Sequence, residues 1–239
     1  MSKKGQLCLI PVPLSDAETG QMSAEALNAA HQIHYFVSER PKTSRKWIKD
    51  IGHPSPQSAI EVVDIVDLKE PEFMDAVVRY LNTGKVVGLV SEAGMPCIAD
   101  PGSELVATLR KKGFEIRPFS GPNSMMMALM ASGLPGQKFC FHGYLSSKKE
   151  ELREDLIKLS KTTQSSGVTQ IFMETPYRNK QVFTTLLNVC PQDLWLCVAS
   201  QLGASGECIH TAKIREWKDK ALEDFYDKPS IFILAASEK

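Results

Sequence analysis

Short apolar runs alternate with amphipathic stretches along the first 118 residues. Apolar runs bounded by Gly, Pro or polar residues predict strands, and such runs occur at 6–10, 33–37, 60–66, 86–90 and 114–118. Between them, apolar residues at helical spacing, with Ser23 as an N-cap, predict helices at 23–32, 41–50, 72–82 and 103–112. The run 86–90 is almost continuously apolar, which predicts a central strand buried on both faces. Strands and helices in this order predict a mostly parallel sheet covered by helices.

Beyond residue 118 the pattern changes to strands with fewer helical connections. Helices are predicted at 123–132, 150–159, 177–188 and 215–226, and a polar loop at 163–167. Strands are predicted at 139–145, 168–174, 194–200, 207–211 and 230–235. The chain is therefore predicted to form two α/β domains: an N-terminal one at 1–118 with a parallel-rich sheet, and a C-terminal one at 119–239 with a mixed sheet.

Length and composition narrow the class of protein. The chain has 239 residues, of which 43% are apolar, so it can bury a large core or two smaller ones. No apolar run approaches the ~20 residues that span a bilayer, and the apolar stretch near the start is too short for a secretory signal. We therefore expect a cytoplasmic protein with no membrane partner. The six cysteines are scattered without a C-x-x-C pair, which predicts reduced, packed thiols and no metal site.

Charge gives one local signal. Acidic and basic residues are equal in number, so the formal net charge is zero and bulk charge does not direct the chain to nucleic acid. Residues 40–49, however, carry five basic side chains, no acidic one, and Trp47. Two interpretations stay open: the solvated face of a helix, or a patch that binds a nucleic-acid backbone while Trp47 stacks on a base.

Two Gly- and Pro-containing loops follow predicted strands, at 91–102 and 120–124. A strand, then such a loop, then a helix start is how an α/β protein presents backbone groups to a ligand. Small residues such as Gly94 let the backbone approach a ligand closely. The carboxylates Glu92 and Asp100 could instead fix the loop or cap a helix.

The loop at 91–102 belongs to an ordered set of motifs. Residues 90–102 (V-S-E-A-G-M-P-C-I-A-D-P-G) resemble the S-D-A-G-T-P-x-I-x-D-P-G signature of the ribosomal-RNA branch of the tetrapyrrole methylase superfamily, the branch of 16S ribosomal RNA cytidine 2′-O-methyltransferases. The same branch has G-P, A-A-G-L-P, F-x-(x)-G-F-L and F-x-E-(S/A)-x-x-R elements in this order. They are matched here by residues 121–122, 131–135, 139–145 and 172–178.

The resemblance implies a two-domain tetrapyrrole-methylase-like fold, a homodimer, and S-adenosyl-L-methionine bound in the cleft between the domains. It also implies an enzyme that transfers the methyl group of this cofactor to a ribose 2′-oxygen of ribosomal RNA. Cofactor contacts are implied for Ser91, Glu92, Ala93, Gly94, Met95, Pro96, Ile98, Ser124, Met173 and Leu202. Catalytic roles are implied for Glu39, Arg40 and Glu174.

Methyl transfer from a sulfonium is an in-line displacement, so the nucleophile, the methyl carbon and the sulfur must be aligned. A ribose hydroxyl is a poor nucleophile and is helped by a base or a hydrogen-bonding partner. Tyr177 and Arg178 are further candidates for this role, beside the three catalytic residues already named. The alternative for Glu174, at the end of a predicted strand, is a salt bridge to Arg178 four residues later.

Two stretches depart from the family pattern. Residues 12–17 (V-P-L-S-D-A) stand where the family has T-P-I-G-N-L, and residues 200–204 (S-Q-L-G-A) stand where it has the charged R-E-L-T-K. Two alternatives to RNA methylation therefore stay open. One is a methyltransferase of the same fold that acts on a small molecule such as a tetrapyrrole. The other is a catalytically eroded protein that only binds the cofactor.

Overall fold

The computed structural model describes residues 4–15, 19–217 and 225–237. The chain divides into two compact units, here called unit 1 (Met1–Asn123) and unit 2 (Ser124–Lys239). The segment that follows residue 118 stays with unit 1 because Phe119 is buried there and its backbone N–H donates to Leu9 O at 3.2 Å. The division of the structure therefore lies slightly after the domain boundary that the sequence predicts.

Unit 1 contains a five-stranded sheet in which every pair of neighbours is parallel. The strands are β1 (Gln6–Leu9), β2 (Tyr35–Ser38), β3 (Glu61–Asp64), β4 (Val87–Val90) and β5 (Glu115–Pro118), in the order β3-β2-β4-β1-β5. All four residues of β4 are buried, as a central strand requires. Gly88 is needed in β4 because a Cβ there would lie 2.7 Å from the Phe36 ring on β2.

Four helices cover both faces of this sheet. They are α1 (Ala24–Ala30), α2 (Pro41–Asp50), α3 (Pro71–Asn82) and α4 (Ser103–Lys111). Ser23 caps α1 by accepting a hydrogen bond from the Ala26 N–H at 3.1 Å. One core layer holds Ile10, Phe36 and Ile48, and the other holds Val77, Leu89, Leu105 and Leu109. Two short 3₁₀ turns, Thr19–Gln21 and Gln57–Ala59, lie between these elements.

The predicted strand at 60–66 is shorter in the structure. β3 ends at Asp64, whose carboxylate accepts a hydrogen bond from the Val66 N–H at 2.9 Å and starts the 3₁₀ turn Ile65–Lys69. A short acidic side chain that bonds to the backbone two residues later competes with strand pairing. The apolar residues after Asp64 therefore do not extend the strand.

Unit 2 contains a second five-stranded sheet, which is mixed. Its strands are β6 (Phe139–Tyr144), β7 (Thr169–Glu174), β8 (Trp195–Ser200), β9 (Cys208–Lys213) and β10 (Ser230–Ala235), in the order β6-β7-β10-β8-β9. Only β6 and β7 pair in parallel, and the remaining neighbours are antiparallel. Among its described residues the helices are α5 (Ser124–Ser132), α6 (Lys149–Ser166) and α7 (Asn179–Val189), with 3₁₀ turns at Pro176–Arg178 and Ile214–Trp217.

Helix α6 corrects a prediction. The polar run 163–167 was predicted as a loop, but α6 continues to Ser166 and ends at Gly167, whose φ is 68°. Thr163 is fully buried on the inner face of the helix. The Ser166 hydroxyl donates to Thr162 O at 2.6 Å, so it bonds back to the preceding turn instead of opening it. The hydroxyl-rich composition therefore belongs to a helix end.

The predicted helix 215–226 falls largely outside the described residues, because 218–224 are not described. Its beginning lies within the 3₁₀ turn Ile214–Trp217. No helix among the described residues is long and apolar enough to cross a bilayer.

The cysteines also depart in part from the prediction. The thiols of Cys8, Cys190 and Cys197 are buried, and burial raises the pKa of Cys8 and Cys197 to about 11. Cys140 on β6 and Cys208 on β9, however, are exposed. Both lie on the outermost strands of the unit 2 sheet, where neighbours cover a side chain on fewer sides.

Candidate functional site

The strands of the unit 1 sheet end at one edge, where the loop from Ser91 to Gly102 follows β4. This segment is called the β4 loop below. It is tied to the chain after β1, because the Val12 N–H donates to Gly94 O at 2.8 Å and the Gly94 N–H donates to Val12 O at 3.1 Å. The Ser91 hydroxyl faces two carbonyl oxygens of the loop, Ala93 O at 3.3 Å and Gly94 O at 3.4 Å. Ser91 therefore supports the loop from within.

A side chain at position 94 would contact the neighbouring segments of the chain, so glycine fits there. Its φ is 75°, and a Cβ there would lie 3.2 Å from Leu14 Cδ2 and 3.4 Å from Pro122 O. Pro122 follows Gly121, whose own Cβ would lie 2.2 Å from the Cβ of Pro11. Gly94 thus lies where the β4 loop approaches the second predicted loop, and Gly121 lies where that second loop approaches the chain after β1. Ala93 beside Gly94 is exposed, which leaves backbone groups open to a ligand.

The β4 loop also holds strained backbone. Among the described residues other than glycine, φ is positive at Cys97 (69°), Ala99 (64°) and Gln201 (51°). Two of these three lie in the β4 loop, and the third precedes Leu202, one of the residues predicted to contact the cofactor. Each such backbone conformation lowers folding stability by on the order of 1–3 kcal/mol, and residues of this kind cluster at functional sites. No residue-type pattern in the sequence revealed Cys97 or Ala99.

Charged groups from β2 and β4 meet at the same edge. Glu39 Oε2 accepts a hydrogen bond from the Glu92 N–H at 3.0 Å. Arg40 Nη1 lies 3.2 Å from Glu92 Oε1 in an exposed ion pair. The structure therefore brings two predicted catalytic residues, Glu39 and Arg40, into contact with Glu92 of the β4 loop.

Asp100 is a further carboxyl of this group. Its sequence position left open whether it contacts a ligand or fixes the loop. Burial raises the pKa of Asp100 to about 7, and the nearby carboxylates of Glu39 and Glu92 add to the increase, while a hydrogen bond with Ser91 opposes it. A carboxyl of this kind is partly protonated near neutral pH, so it can both donate and accept a hydrogen bond.

We expect the Asp100→Asn variant to gain stability relative to the wild type as pH rises from about 4 to about 7. An unfolded Asp titrates near ~3.9 and folded Asp100 near about 7, so within this window the native state binds more protons and loses stability as pH rises. Asn has no such titration. Urea unfolding of both proteins across this range measures the difference, and the exposed Asp67→Asn variant is the control. A difference independent of pH would contradict the expectation.

In unit 2, Glu174 and Arg178 form a buried pair. Arg178 Nη1 lies 3.2 Å from Glu174 Oε2, with the two side chains 15% and 1% exposed. Glu174 Oε1 accepts a hydrogen bond from the Thr175 N–H at 2.8 Å. Arg178 also donates to Ser146 O at 2.6 Å, beyond the end of β6. The salt bridge between Glu174 and Arg178, which was the alternative interpretation of Glu174, is therefore present in the structure.

The other predicted cofactor residues of unit 2 lie on separate elements. Ser124 begins α5, Met173 lies near the end of β7, and Leu202 is buried after β8. The stretch 200–204, which departs from the family pattern, comprises the last residue of β8 and the turn after it, in which the Gly203 N–H donates to the Glu207 carboxylate at 2.9 Å.

The basic segment 40–49 forms α2, as predicted, but the interpretation of Trp47 as a stacking residue is wrong. Trp47 is 8% exposed and packs edge-on against Phe36, with ring centroids 6.2 Å apart. The buried positions Ser44, Trp47 and Ile48 share the inner face of α2. The basic side chains of Lys42, Arg45 and Lys49 are exposed, whereas Lys46 pairs with Asp50 at 3.0 Å.

A groove of about 940 Å³ opens at the opposite, amino edge of the unit 1 sheet. Its lining includes His34 and Lys85, which precede β2 and β4, and no residue of the β4 loop. The groove is therefore separate from the candidate site. Within the described ranges, no three His, Cys, Asp or Glu side chains gather in an arrangement that could hold a metal ion.

Comparison with known proteins gives a family match and a set of relatives. The model of the family described as Tetrapyrrole (Corrin/Porphyrin) Methylases matches residues 7–218. A protein named Ribosomal RNA small subunit methyltransferase I from Escherichia coli O157:H7 is 29% identical over 216 residues, which is 90% of this chain and 71% of that protein. Proteins of the same name from Bacillus subtilis (29% identical; 79% of this chain, 61% of that protein) and Xylella fastidiosa (26%; 98% and 82%) also match. The chain thus spans between about three fifths and four fifths of the length of these relatives.

One solved structure supports the fold. The chain resembles the crystal structure of uroporphyrin-III-C-methyltransferase from Thermus thermophilus with a TM-score of 0.55 and 17% sequence identity, over 97% of this chain and 92% of that one. At this identity the likeness concerns the fold alone. It confirms the predicted α/β class, with a parallel-rich sheet and a mixed second sheet.

Proposed function

The chain belongs to the tetrapyrrole methylase family, and from this premise we propose that it is an S-adenosylmethionine-dependent methyltransferase that modifies ribosomal RNA. The observation that carries the proposal is the β4 loop. It keeps the family signature in sequence, and it has a glycine at its closest approach, an exposed Ala93 and strained residues at the end of a central strand. The names of the relatives support the choice of RNA as the substrate.

The residues of this edge fit the cofactor. S-adenosylmethionine carries a sulfonium and an ammonium group, and the carboxyls of Glu39, Glu92 and Asp100 gather at the edge with Arg40 as counter-ion. A negative potential favours a cationic ligand. The residues that would hold it are those of the β4 loop from Ser91 to Pro96, with Ile98, and in unit 2 Ser124, Met173 and Leu202. When bound, the cofactor supplies an electrophilic methyl group.

The chain's own residues would position the nucleophile and remove its proton. Glu39 is held in place through Oε2 by the Glu92 N–H, so its second oxygen is the candidate acceptor for the hydroxyl proton of a ribose. Arg40 forms its ion pair with Glu92, and Glu39 is the carboxylate assigned the role of general base. We assign Glu174 a supporting role through Arg178, because the pair is buried.

Transfer of a labelled methyl group to small-subunit ribosomal RNA tests the proposal. We expect label in RNA with the wild type and a marked loss of transfer with Glu39→Gln, even at cofactor concentrations that saturate the variant. Label in a small-molecule fraction would favour the tetrapyrrole alternative, and cofactor binding without any transfer would favour the eroded protein. The proposal includes the twofold homodimer that the family resemblance implies, and a mass measurement in solution decides this point.

The basic face of α2 gives a prediction for RNA binding. Replacing Lys42, Arg45 and Lys49 together by Gln is expected to weaken RNA binding and to flatten its salt dependence, by up to ~0.7 log units of slope per lost contact with a single-stranded phosphate. The matched control is Lys46→Gln, whose charge is already offset by Asp50 at 3.0 Å. Fluorescence anisotropy over a range of salt concentrations measures both slopes. Equal salt-dependence slopes for the triple variant and the wild type would show that the basic face of α2 is only solvated and does not contact RNA.

A further inference from the structure

Two tyrosines stand exposed at the carboxyl ends of neighbouring parallel strands in unit 2. Tyr177 is 84% exposed on the 3₁₀ turn after β7, and Tyr144 is 52% exposed at the end of β6. Tyr144 is paired with Met173 in the register of the two strands. Parallel strands end at the same edge of a sheet, so both rings belong to one edge. Two exposed aromatic rings at one edge provide a surface on which a ligand can pack.

The turn that carries Tyr177 is held rigidly on both sides. Arg178, the next residue, pairs with buried Glu174 at 3.2 Å, and its backbone N–H donates to Thr175 O at 3.0 Å. Asn179 is fully buried, and its side-chain amide donates to Lys228 O at 2.6 Å. Tyr177 is thus an exposed ring on a fixed backbone, which loses little conformational freedom when it binds.

The same guanidinium links the two tyrosine-bearing segments. Arg178 donates to Ser146 O at 2.6 Å and to Leu145 O at 3.3 Å, directly after Tyr144. One partly buried side chain therefore contacts both the segment after β6 and the turn after β7. The family motif that ends in Arg178 acts here as a support for the residue that precedes it.

Two exposed cations follow the rings along the chain: Lys149 comes five residues after Tyr144 and Lys180 three residues after Tyr177. Two further cations of these segments are paired with carboxylates, Lys148 with Glu151 and Arg178 with Glu174. An exposed aromatic ring with cations beside it is the arrangement that binds single-stranded nucleic acid, in which the base stacks on the ring and the cations meet the phosphates.

We infer that Tyr177 is a stacking platform for an unpaired base of the RNA substrate, with Tyr144 beside it. The inference rests on the proposed function and names the residue that recognises the nucleotide. It separates two tasks within the family motif, since Glu174 and Arg178 build the support while Tyr177 contacts the substrate.

A titration with a short single-stranded RNA tests the inference. We expect Tyr177→Ala to weaken binding by roughly 5- to 100-fold, the usual effect of removing one stacking ring. Tyr177→Trp should retain the affinity, because the stacking surface is kept. The control is Phe139→Ala, which removes an exposed aromatic ring at the amino end of β6. Thermal unfolding checks that all variants fold.

The outcomes separate this inference from the proposed function. If the wild type binds RNA and Tyr177→Ala binds it equally well, the stacking platform is overturned while RNA methylation stands. If the wild type binds no RNA and transfers no methyl group to it, the proposed substrate is lost as well. Unchanged RNA affinity together with a lower molecular mass of Tyr177→Ala in solution would identify the ring as a subunit contact and overturn the inference.

Discussion

The Gly94→Val variant is expected to fold but to bind S-adenosylmethionine at least about tenfold more weakly than the wild type. The φ of 75° at Gly94 disfavours a β-branched residue, and a Cβ would lie 3.2 Å from Leu14. The loop would have to move, and the paired hydrogen bonds to Val12 would lengthen. A shift worth ~1.4 kcal/mol between loop conformations already gives the tenfold loss. Isothermal titration calorimetry measures the affinity.

Gly52→Val provides a matched control for this variant. Gly52 has a φ of 69°, close to that of Gly94, but a Cβ there would meet nothing within 4 Å. Both variants should lose on the order of 1–3 kcal/mol of stability through backbone strain, whereas only Gly94→Val should lose cofactor affinity. Equal affinities in the two variants would show that the β4 loop does not contact the cofactor.

The second large effect is expected from Arg178→Met, which should destabilise unit 2 by about 3–5 kcal/mol. Without Arg178, the carboxylate of Glu174 stays 1% exposed with no opposite charge, and the carbonyls of Leu145 and Ser146 lose their donor. Urea unfolding of the variant and the wild type measures the loss. Adding Glu174→Gln to Arg178→Met should recover part of it, since the unpaired charge is then removed.

The exposed pair of Lys148 with Glu151 is the control for the buried one. It has a shorter N–O distance, 2.8 Å, but both side chains are open to solvent. Lys148→Met should therefore leave the urea unfolding midpoint almost unchanged. Similar losses for Lys148→Met and Arg178→Met would contradict the argument that burial decides the effect.

Sequence patterns predicted much of the fold because most elements depend on local signals. The continuous apolar run of β4 indicated a central strand, and Ser23 marked the start of α1. The end of α6 was missed because hydroxyl groups that bond back to the helix look like loop residues in a sequence. The burial of Trp47 could have been predicted, since Ser44, Trp47 and Ile48 have the spacing of one helix face.

The candidate site was less accessible to prediction, since its properties arise from contacts between distant segments. The motif located the β4 loop. It did not indicate that the backbone of Gly94 in this loop would exchange hydrogen bonds with Val12, which follows β1. The pKa of Asp100 depends on its burial and on Glu39, which comes from another strand. The exposure of Tyr177 depends on a turn that is fixed by the contacts of Arg178 and Asn179, and it is not encoded at Tyr177 itself.

The position of β10 in the unit 2 sheet has a consequence for biosynthesis. β10 is the last strand of the unit to leave the ribosome, yet it lies between β7 and β8 and pairs with both. Unit 1 has all five of its strands once residue 118 has emerged. β8 ends at Ser200 and β10 ends at Ala235, so at roughly 5 to 20 residues per second the interval between completed β8 and completed β10 is about 2 to 7 seconds. During this interval β7 and β8 each present an unpaired edge, so the nascent chain is most in need of a chaperone just before its final strand appears.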